Sequence, residues 1–294
     1  MELRVLRYFL AVVREESVTR AAEALHITQP TLSRQLAQLE EELGVTLFLR
    51  GKRKIGLTEA GILLRRRAEE LIELADKTEQ ELSAPGELSG TIYIGSAETV
   101  AAEIFPKLLG EFHQAYPSVQ YDLLSGNADQ MKERLELGLM DIALLLEPVD
   151  LEQYEFLRLP DKDRWGVLLP AQDPLAGQES VSLADLGDTP LFISRRDSVQ
   201  GELSGWFGKD FEQCNVMVTH NLIRNSARLV EHGLGYAVTI EGAVDIYDRS
   251  QVRFCPFTPE LPVQAVLVWK KQRAVSPAVR AFLEMARKLV RPEK

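Results

Sequence analysis

Residues 28–34 read Thr-Gln-Pro-Thr-Leu-Ser-Arg, and four of these side chains carry donors and acceptors that match the edges of base pairs. Gln29 can pair with adenine and Arg34 with guanine through two hydrogen bonds each, while the hydroxyls of Thr31 and Ser33 suit bases or phosphate oxygens. Thr28 is a natural helix N-cap, and Pro30 is tolerated in the first turn because its missing N–H costs nothing there. Leu32, Leu36, Leu39 and Leu43 then recur at steps of four, three and four, one buried stripe of a helix. At about 100° per residue Arg34 and Pro30 face away from that stripe, with Thr31 and Ser33 on its flanks. Glu40, Glu41 and Glu42 close the helix and would be repelled by phosphates, so the spacing predicts entry into a major groove N-terminus first. Gly44 follows as the stop. The alternative for each polar residue is a solvated surface role.

This helix needs a support. Ser17 can cap a short Ala-rich helix whose inner face is Ala21, Ala22 and Leu25, and the break at His26 and Ile27 is short enough for a helix-turn-helix. Tyr8, Phe9, Val12 and Val13 predict a further helix over 2–15. After Gly44, the segment VTLFLRGKRKIGLT contains two short β-prone runs around a basic tip. Arg50 and Arg53, with Lys52 and Lys54, would form a wing against phosphates or in a minor groove, or else a merely solvated hairpin.

The net charge of −10 over 294 residues argues against nucleic acid until it is mapped along the chain. Residues 1–58 carry +2, residues 59–88 carry −4 and residues 89–294 carry −8, so the acidity lies mostly outside the N-terminal segment. With 45% hydrophobic and 27% charged residues, the chain has material for two or three domains with real cores. No apolar run approaches the roughly 20 residues of a membrane span and no leader pattern opens the chain, so a cytoplasmic location and no membrane partner are expected. Cys214 and Cys255 have no CxxC or metal-ligand spacing, which predicts buried reduced thiols. The histidines form no HExxH, and GxSxG, GxxxxGK[ST] and a full GxGxxG are all missing from the sequence. No catalytic, metal or cofactor site is therefore expected; an enzyme with an appended DNA-binding module is the remote alternative.

Thr58 can cap a long helix to about Ser83. Leu64, Ala68, Leu71, Ala75, Thr78 and Leu82 recur at four and three residues, a heptad seam suited to packing along another helix, in a second copy or in the same chain. Residues 84–90, APGELSG, read as a linker. From Thr91 onward β-rich runs alternate with helical stretches in two similar halves, predicting α/β architecture with parallel sheets. Ligands in such sheets collect beyond the C-terminal ends of strands, where helix N-termini present N–H groups. Those places hold Ser96 and Thr99, Gly126 and Asn127, Ser194 with Arg195 and Arg196, and Thr239. The helix dipoles and the arginines suggest an anionic ligand group; Glu98 at a helix start adds a preference for an amine, hence an amphoteric one.

Residues 3–61 resemble the DNA-binding domain of LysR-type transcriptional regulators. The match rests on the Ala-Ala pair, Gln-Pro-Thr-Leu-Ser-Arg-Gln, Leu-Glu-x-x-Leu-Gly, Leu-Phe-x-Arg and Leu-Thr-x-Ala-Gly, in that order. The remainder is similar, more loosely, to the effector-binding domain of the same family, through FPKLLGEFHQAYPSV, GLMDIALLL and LVEHGLGYAV. The resemblance implies a winged helix-turn-helix over 1–58, a linker and dimerisation helix over 59–88, and a two-subdomain effector domain over 89–294 of type 2 periplasmic-binding-protein architecture. Subdomain I would take 89–161 and 265–294, and subdomain II 162–264. It further implies double-stranded DNA at Thr28, Gln29, Pro30, Thr31, Ser33, Arg34, Arg50 and Arg53, a small-molecule effector in the cleft, and a homodimer assembled into a homotetramer. Thr239-Ile240-Glu241 departs from the family's usual Leu-Pro at this turn. A C-terminal domain that only assembles subunits remains the alternative to ligand sensing.

Overall fold

The computed structural model describes residues 1–49, 55–82, 88–271 and 275–290, and it divides into two compact units, Met1–Pro85 and Gly86–Lys294. Arg50 and Arg53, with the rest of the wing tip, lie outside the described residues, as does most of the expected linker; of Leu82 only the backbone is described.

The first unit opens with α1 (Leu3–Glu15), α2 (Val18–Ala24) and α3 (Gln29–Leu43). Ser17 Oγ accepts the Arg20 N–H and caps α2; Thr28 Oγ1 does the same for α3 through the Thr31 N–H. Gly44 ends α3 at φ 67°, the left-handed conformation that glycine adopts without strain. Val5, Leu6, Phe9 and Val12 of α1 bury against Ala21, Ala22, Leu32, Leu36 and Leu39, whose spacing supplies the inner faces. β1 (Phe48–Leu49) and β2 (Gly56–Leu57) pair antiparallel as the stem of the wing.

The long helix α4 (Glu59–Leu82) starts where Thr58 Oγ1 accepts the Gly61 N–H at 3.0 Å while donating to the Thr46 carbonyl at 2.6 Å. A Cβ on Gly61 would come within 2.2 Å of the Leu47 carbonyl oxygen, so only glycine lets the helix sit this close to the wing stem. Part of the expected seam packs within the chain. Leu64 and Ala68 pack in the core of the same chain with α1, Ala68 being wholly buried, and Arg7 of α1 pairs with Asp76. The apolar face of α1 thus covers these two positions from the same chain, one of the two partners that the spacing allows. Leu71 and Thr78 are exposed, as are Ile62 and Leu63.

The second unit has β3 (Gly90–Ser96), α5 (Ile104–Ala115), β4 (Val119–Ser125), α6 (Ala128–Leu137), β5 (Ile142–Leu146), β6 (Tyr154–Pro170), β7 (Leu191–Ser194), α7 (Asp197–Phe207), α8 (Lys209–Glu212), β8 (Val216–His220), α9 (Arg224–Glu231), β9 (Tyr236–Ile240), β10 (Val252–Pro256), β11 (Pro262–Lys270) and α10 (Pro277–Val290). Among the described residues these strands form one nine-stranded sheet, ordered β4-β3-β5-β11-β6-β9-β7-β8 with β10 on β6. Two lobes share it. In the first, Ile92, Ile94 and Phe105 pack with Phe112 and Phe282 on one face and α6 covers the other; in the second, α7 and α8 cover one face and α9 the opposite.

The sheet is mixed, where alternation predicts parallel pairing throughout. β3 pairs parallel with β4 and β5, and β7 with β8 and β9, but β6 and β11 pair antiparallel with every neighbour. Both strands serve both lobes: β6 pairs with β11 over Tyr154–Arg158 and Lys162–Arg164, then with β9 over Trp165–Leu168. β6 starts ten residues before the apolar run that marks it in sequence, because Tyr154–Arg158 already pair with β11; Pro160 is tolerated within the strand since it lies where that pairing skips, between Gln264 and Val266. β10 carries no strand signal of its own beyond Val-Arg-Phe and is held by its pairing to β6.

Candidate functional site

Two sites have to be built, one in each unit. At the N-terminal end of α3, Thr28, Gln29, Pro30 and Arg34 are exposed, and Thr31 and Ser33 are half-buried on the flank. Gln29 Nε2 donates to Ser33 Oγ at 3.0 Å, and the hydroxyls of Thr28 and Thr31 lie 2.8 Å apart. The guanidinium of Arg34 has no hydrogen bond or ion pair with the described residues and stands on the exposed side of α3. Glu40 is not simply an acidic surface residue: Oε1 accepts the Leu47 and Phe48 N–H groups at 2.6 and 3.2 Å, fixing the wing stem against α3. The sequence offers no sign of this, since the partners are backbone groups seven and eight residues away.

In the second unit a cleft between the two lobes, open to solvent on one side, spans about 850 Å³ of space free of protein atoms. Gly126 and Asn127, between β4 and α6, line it; so do Ser194 at the end of β7, Arg196 just after it, and Thr239 in β9. Ser96, Thr99 and Arg195 do not lie on its wall. Ser96 Oγ donates to the Ala97 carbonyl, Thr99 is buried as the N-cap of a short 3-10 helix at Val100–Glu103, and Arg195 is exposed. Their neighbours Ala97 and Glu98 supply that part of the wall instead. Sequence reasoning missed Trp165, Ser198, Val199, Glu202 and His220, which also line the cleft. Ser198 and Glu202 were within reach, being four apart on one face of α7, which also carries Val199; Trp165 and His220 come from separate strands.

Electrostatics divide the charged wall residues into two kinds. Arg196 donates through Nε and NH2 to the two carboxylate oxygens of Asp129, at 2.9 and 3.2 Å, joining the first turn of α6 to the start of α7 across the cleft. Glu147 accepts both donors of Arg158, at 3.1 and 2.8 Å. Glu98 and Glu202, by contrast, have no hydrogen bond or ion pair with the described residues. Burial raises the carboxyl of Glu98, and it raises that of Glu202 to about 7 against a smaller pull from Arg196. Burial, and then the nearby Arg195, hold His220 down at about 4, so it is neutral, with Nδ1 2.9 Å from Ser226 Oγ.

Behind the cleft lies the crossover between the lobes. Asp163 is 1% exposed, and its carboxylate accepts three backbone N–H groups: Val100 at 3.0 Å, Arg164 at 3.0 Å and Gly242 at 3.1 Å. These partners belong to the first lobe, the crossover strand and the second lobe. Glu241, which stands where the family pattern has another residue, forms a two-pronged ion pair with Arg164 at 2.7 and 3.2 Å.

A family model described as "LysR substrate binding domain" matches residues 85–291, and one described as "Bacterial regulatory helix-turn-helix protein, lysR family" matches residues 3–62. The chain belongs to the LysR family of transcriptional regulators. This LysR-family regulator is 33% identical over 287 residues to the Hca operon transcriptional activator HcaR of Escherichia coli (strain K12), covering 96% of each chain. It is 36% identical over 202 residues to the regulator AlsR of Bacillus subtilis (strain 168), covering 67% of this chain and 66% of that one. Its fold is that of CbnR, a LysR-family regulator whose crystal structure superposes with a TM-score of 0.77 at 22% identity, over 99% of this chain and 100% of that chain. A further structure of CbnR with its target DNA gives a TM-score of 0.76. These relatives are regulators of transcription, not enzymes, and among the described residues no helix is long and apolar enough to cross a membrane. The LysR-family regulator keeps both thiols unpaired, Cys255 buried and Cys214 half-buried, and burial raises both above the usual thiol range.

Proposed function

We propose that this LysR-family regulator reads duplex DNA with the N-terminal end of α3 and is controlled by a small organic molecule bound between the lobes of its second unit. Gln29 and Arg34 would take bases in the major groove, with Thr28, Pro30, Thr31 and Ser33 packing and hydrogen-bonding along the entry. The protein would act as a homodimer in the cytoplasm, pairing through the face of α4 that carries Leu71, Ala75 and Thr78 together with exposed Leu63.

The observation that carries the control is the cleft spanned by Arg196 and Asp129. A ligand that changes the separation of α6 and α7 must break or tighten this pair, which gives the lobes two arrangements of different ligand affinity, as allostery requires. The test is footprinting of the full chain on the DNA upstream of its own coding region, with and without bound ligand. Gln29→Ala together with Arg34→Ala should abolish the footprint while leaving the fold intact. Specific binding that survives this double change would refute the recognition assignment.

A further inference from the structure

We infer that the ligand of the cleft is a small apolar amine, held as its ammonium ion by Glu98 and Glu202. This rests on the proposal that the cleft is the effector site, and it adds the chemical class. The charged side chains on the wall are Glu98, Glu147, Arg196 and Glu202, with His220 neutral. Two of them are already satisfied, Arg196 by Asp129 and Glu147 by Arg158. A carboxylate ligand would therefore meet no unpaired cation, whereas an ammonium meets two unpaired carboxylates.

Several backbone groups that favour anions are also taken. The first-turn N–H groups of Asp129 and Gln130 in α6 donate to Asn127 Oδ1, whose own N–H is taken by the Gln130 side chain. At α7 the Arg196 N–H goes to Ser194 Oγ, and Asp197 already places a negative charge in the first turn. Much of the remaining wall is apolar: Leu146, Trp165, Val199, Ile223, Val238 and Ile240 line the cleft and suit an aliphatic or aromatic body. The cleft is thus left with two carboxylates, Glu98 and Glu202, that no described residue pairs, and such groups are costly unless something pairs with them. An ammonium bound in a part-buried site makes charge-assisted hydrogen bonds to carboxylates, the stronger class.

Calorimetry on the full chain at pH 8 tests this with phenethylamine and hexylamine against 3-phenylpropionate and hexanoate. The amines should bind and the matched acids should not. Glu98→Gln and Glu202→Gln should each weaken amine binding at least about tenfold. Ser198→Trp, which fills the cleft from an exposed position on α7, should abolish it. Acids binding as well as amines, amines indifferent to both glutamine variants, or no amine binding at about 1 mM would each overturn the inference. If the acids bind and Ser198→Trp removes them, the effector site stands and only the ligand class falls. Binding indifferent to Ser198→Trp would remove both.

Discussion

Arg196 and Asp129 lie 67 residues apart in sequence and form a two-pronged ion pair that joins the two lobes at the cleft, guanidinium Nε to carboxylate at 2.9 Å. Asp129 stands in the first turn of α6 and Arg196 at the N-cap of α7, so the pair reports on the gap between the helices that would close on a ligand.

Breaking this pair should loosen the cleft more than it lowers stability. Asp129 is 67% exposed, and pairs this wet contribute about 0–1 kcal/mol. Asp129→Ala is expected to leave the melting temperature nearly unchanged and to speed amide exchange in the opening turns of α6 and α7. Exchange rates there identical to those of the parent protein would show that the pair does not hold the lobes together.

Arg34→Ala separates DNA reading from folding. The guanidinium is exposed and without partners among the described residues, so its loss should change stability by less than about 0.5 kcal/mol. Gel-shift affinity for a specific site should fall about 10- to 100-fold, the worth of one bidentate base contact. Equal losses on specific and random DNA would instead place Arg34 on a phosphate.

The unliganded protein should carry a pH signature at Glu202. Its folded carboxyl titrates at about 7 against a usual 4.5, so the folded state holds the proton more tightly than the unfolded chain does. That contribution to stability is complete below about pH 4.5 and is lost as the pH rises through 7. Glu202→Gln removes the loss and should melt higher than the parent above pH 7, by about 2–4 °C for about 1 kcal/mol after allowing for solvent screening. His220 works in the opposite window: its folded value near 4 makes its contribution complete above about pH 6.5 and lost as the pH falls toward 4. A parent-minus-variant difference that stays flat from pH 4.5 to 8 would contradict the assignment to Glu202.

Asp163→Ala should be the most damaging of these changes. It strands three backbone N–H groups at a site that is 1% exposed, a cost of roughly 3–5 kcal/mol by denaturant titration. Asp163→Asn keeps one acceptor oxygen and should lose less. Equal and small losses for both would mean that water replaces the carboxylate.

The DNA-reading unit was almost wholly written in local pattern. Ser17, Thr28, Thr58 and Gly44 cap or stop helices through partners within four residues, and Leu32, Leu36 and Leu39 mark a buried face by spacing alone. Such signals are short-ranged, because a helix satisfies its hydrogen bonds within its own turn and shows its buried side by period. The long helix was legible in extent but not in partnership. A heptad seam says that a face is covered, and Leu64 and Ala68 are covered by α1 of the same chain.

The cleft was visible in outline, since strand ends in an α/β sheet point to it, and Gly126, Asn127, Ser194, Arg196 and Thr239 do line it. Its chemistry was not. Sequence presents Arg196 as a free cation and Glu202 as one more helical glutamate; only the fold gives the first to Asp129 and leaves the second half-buried and alone. Asp163 likewise reads as a charge among charges at Asp161-Lys162-Asp163-Arg164, yet it ties together groups 63 and 79 residues away. The sequence by itself determined the helix-turn-helix, the exposed face at the start of α3 and the two-lobed α/β plan, because capping and periodicity are local. The tertiary structure alone decided which charges are paired and which face the cleft, because burial and ion pairing depend on chain segments that meet only when β6 and β11 cross between the lobes.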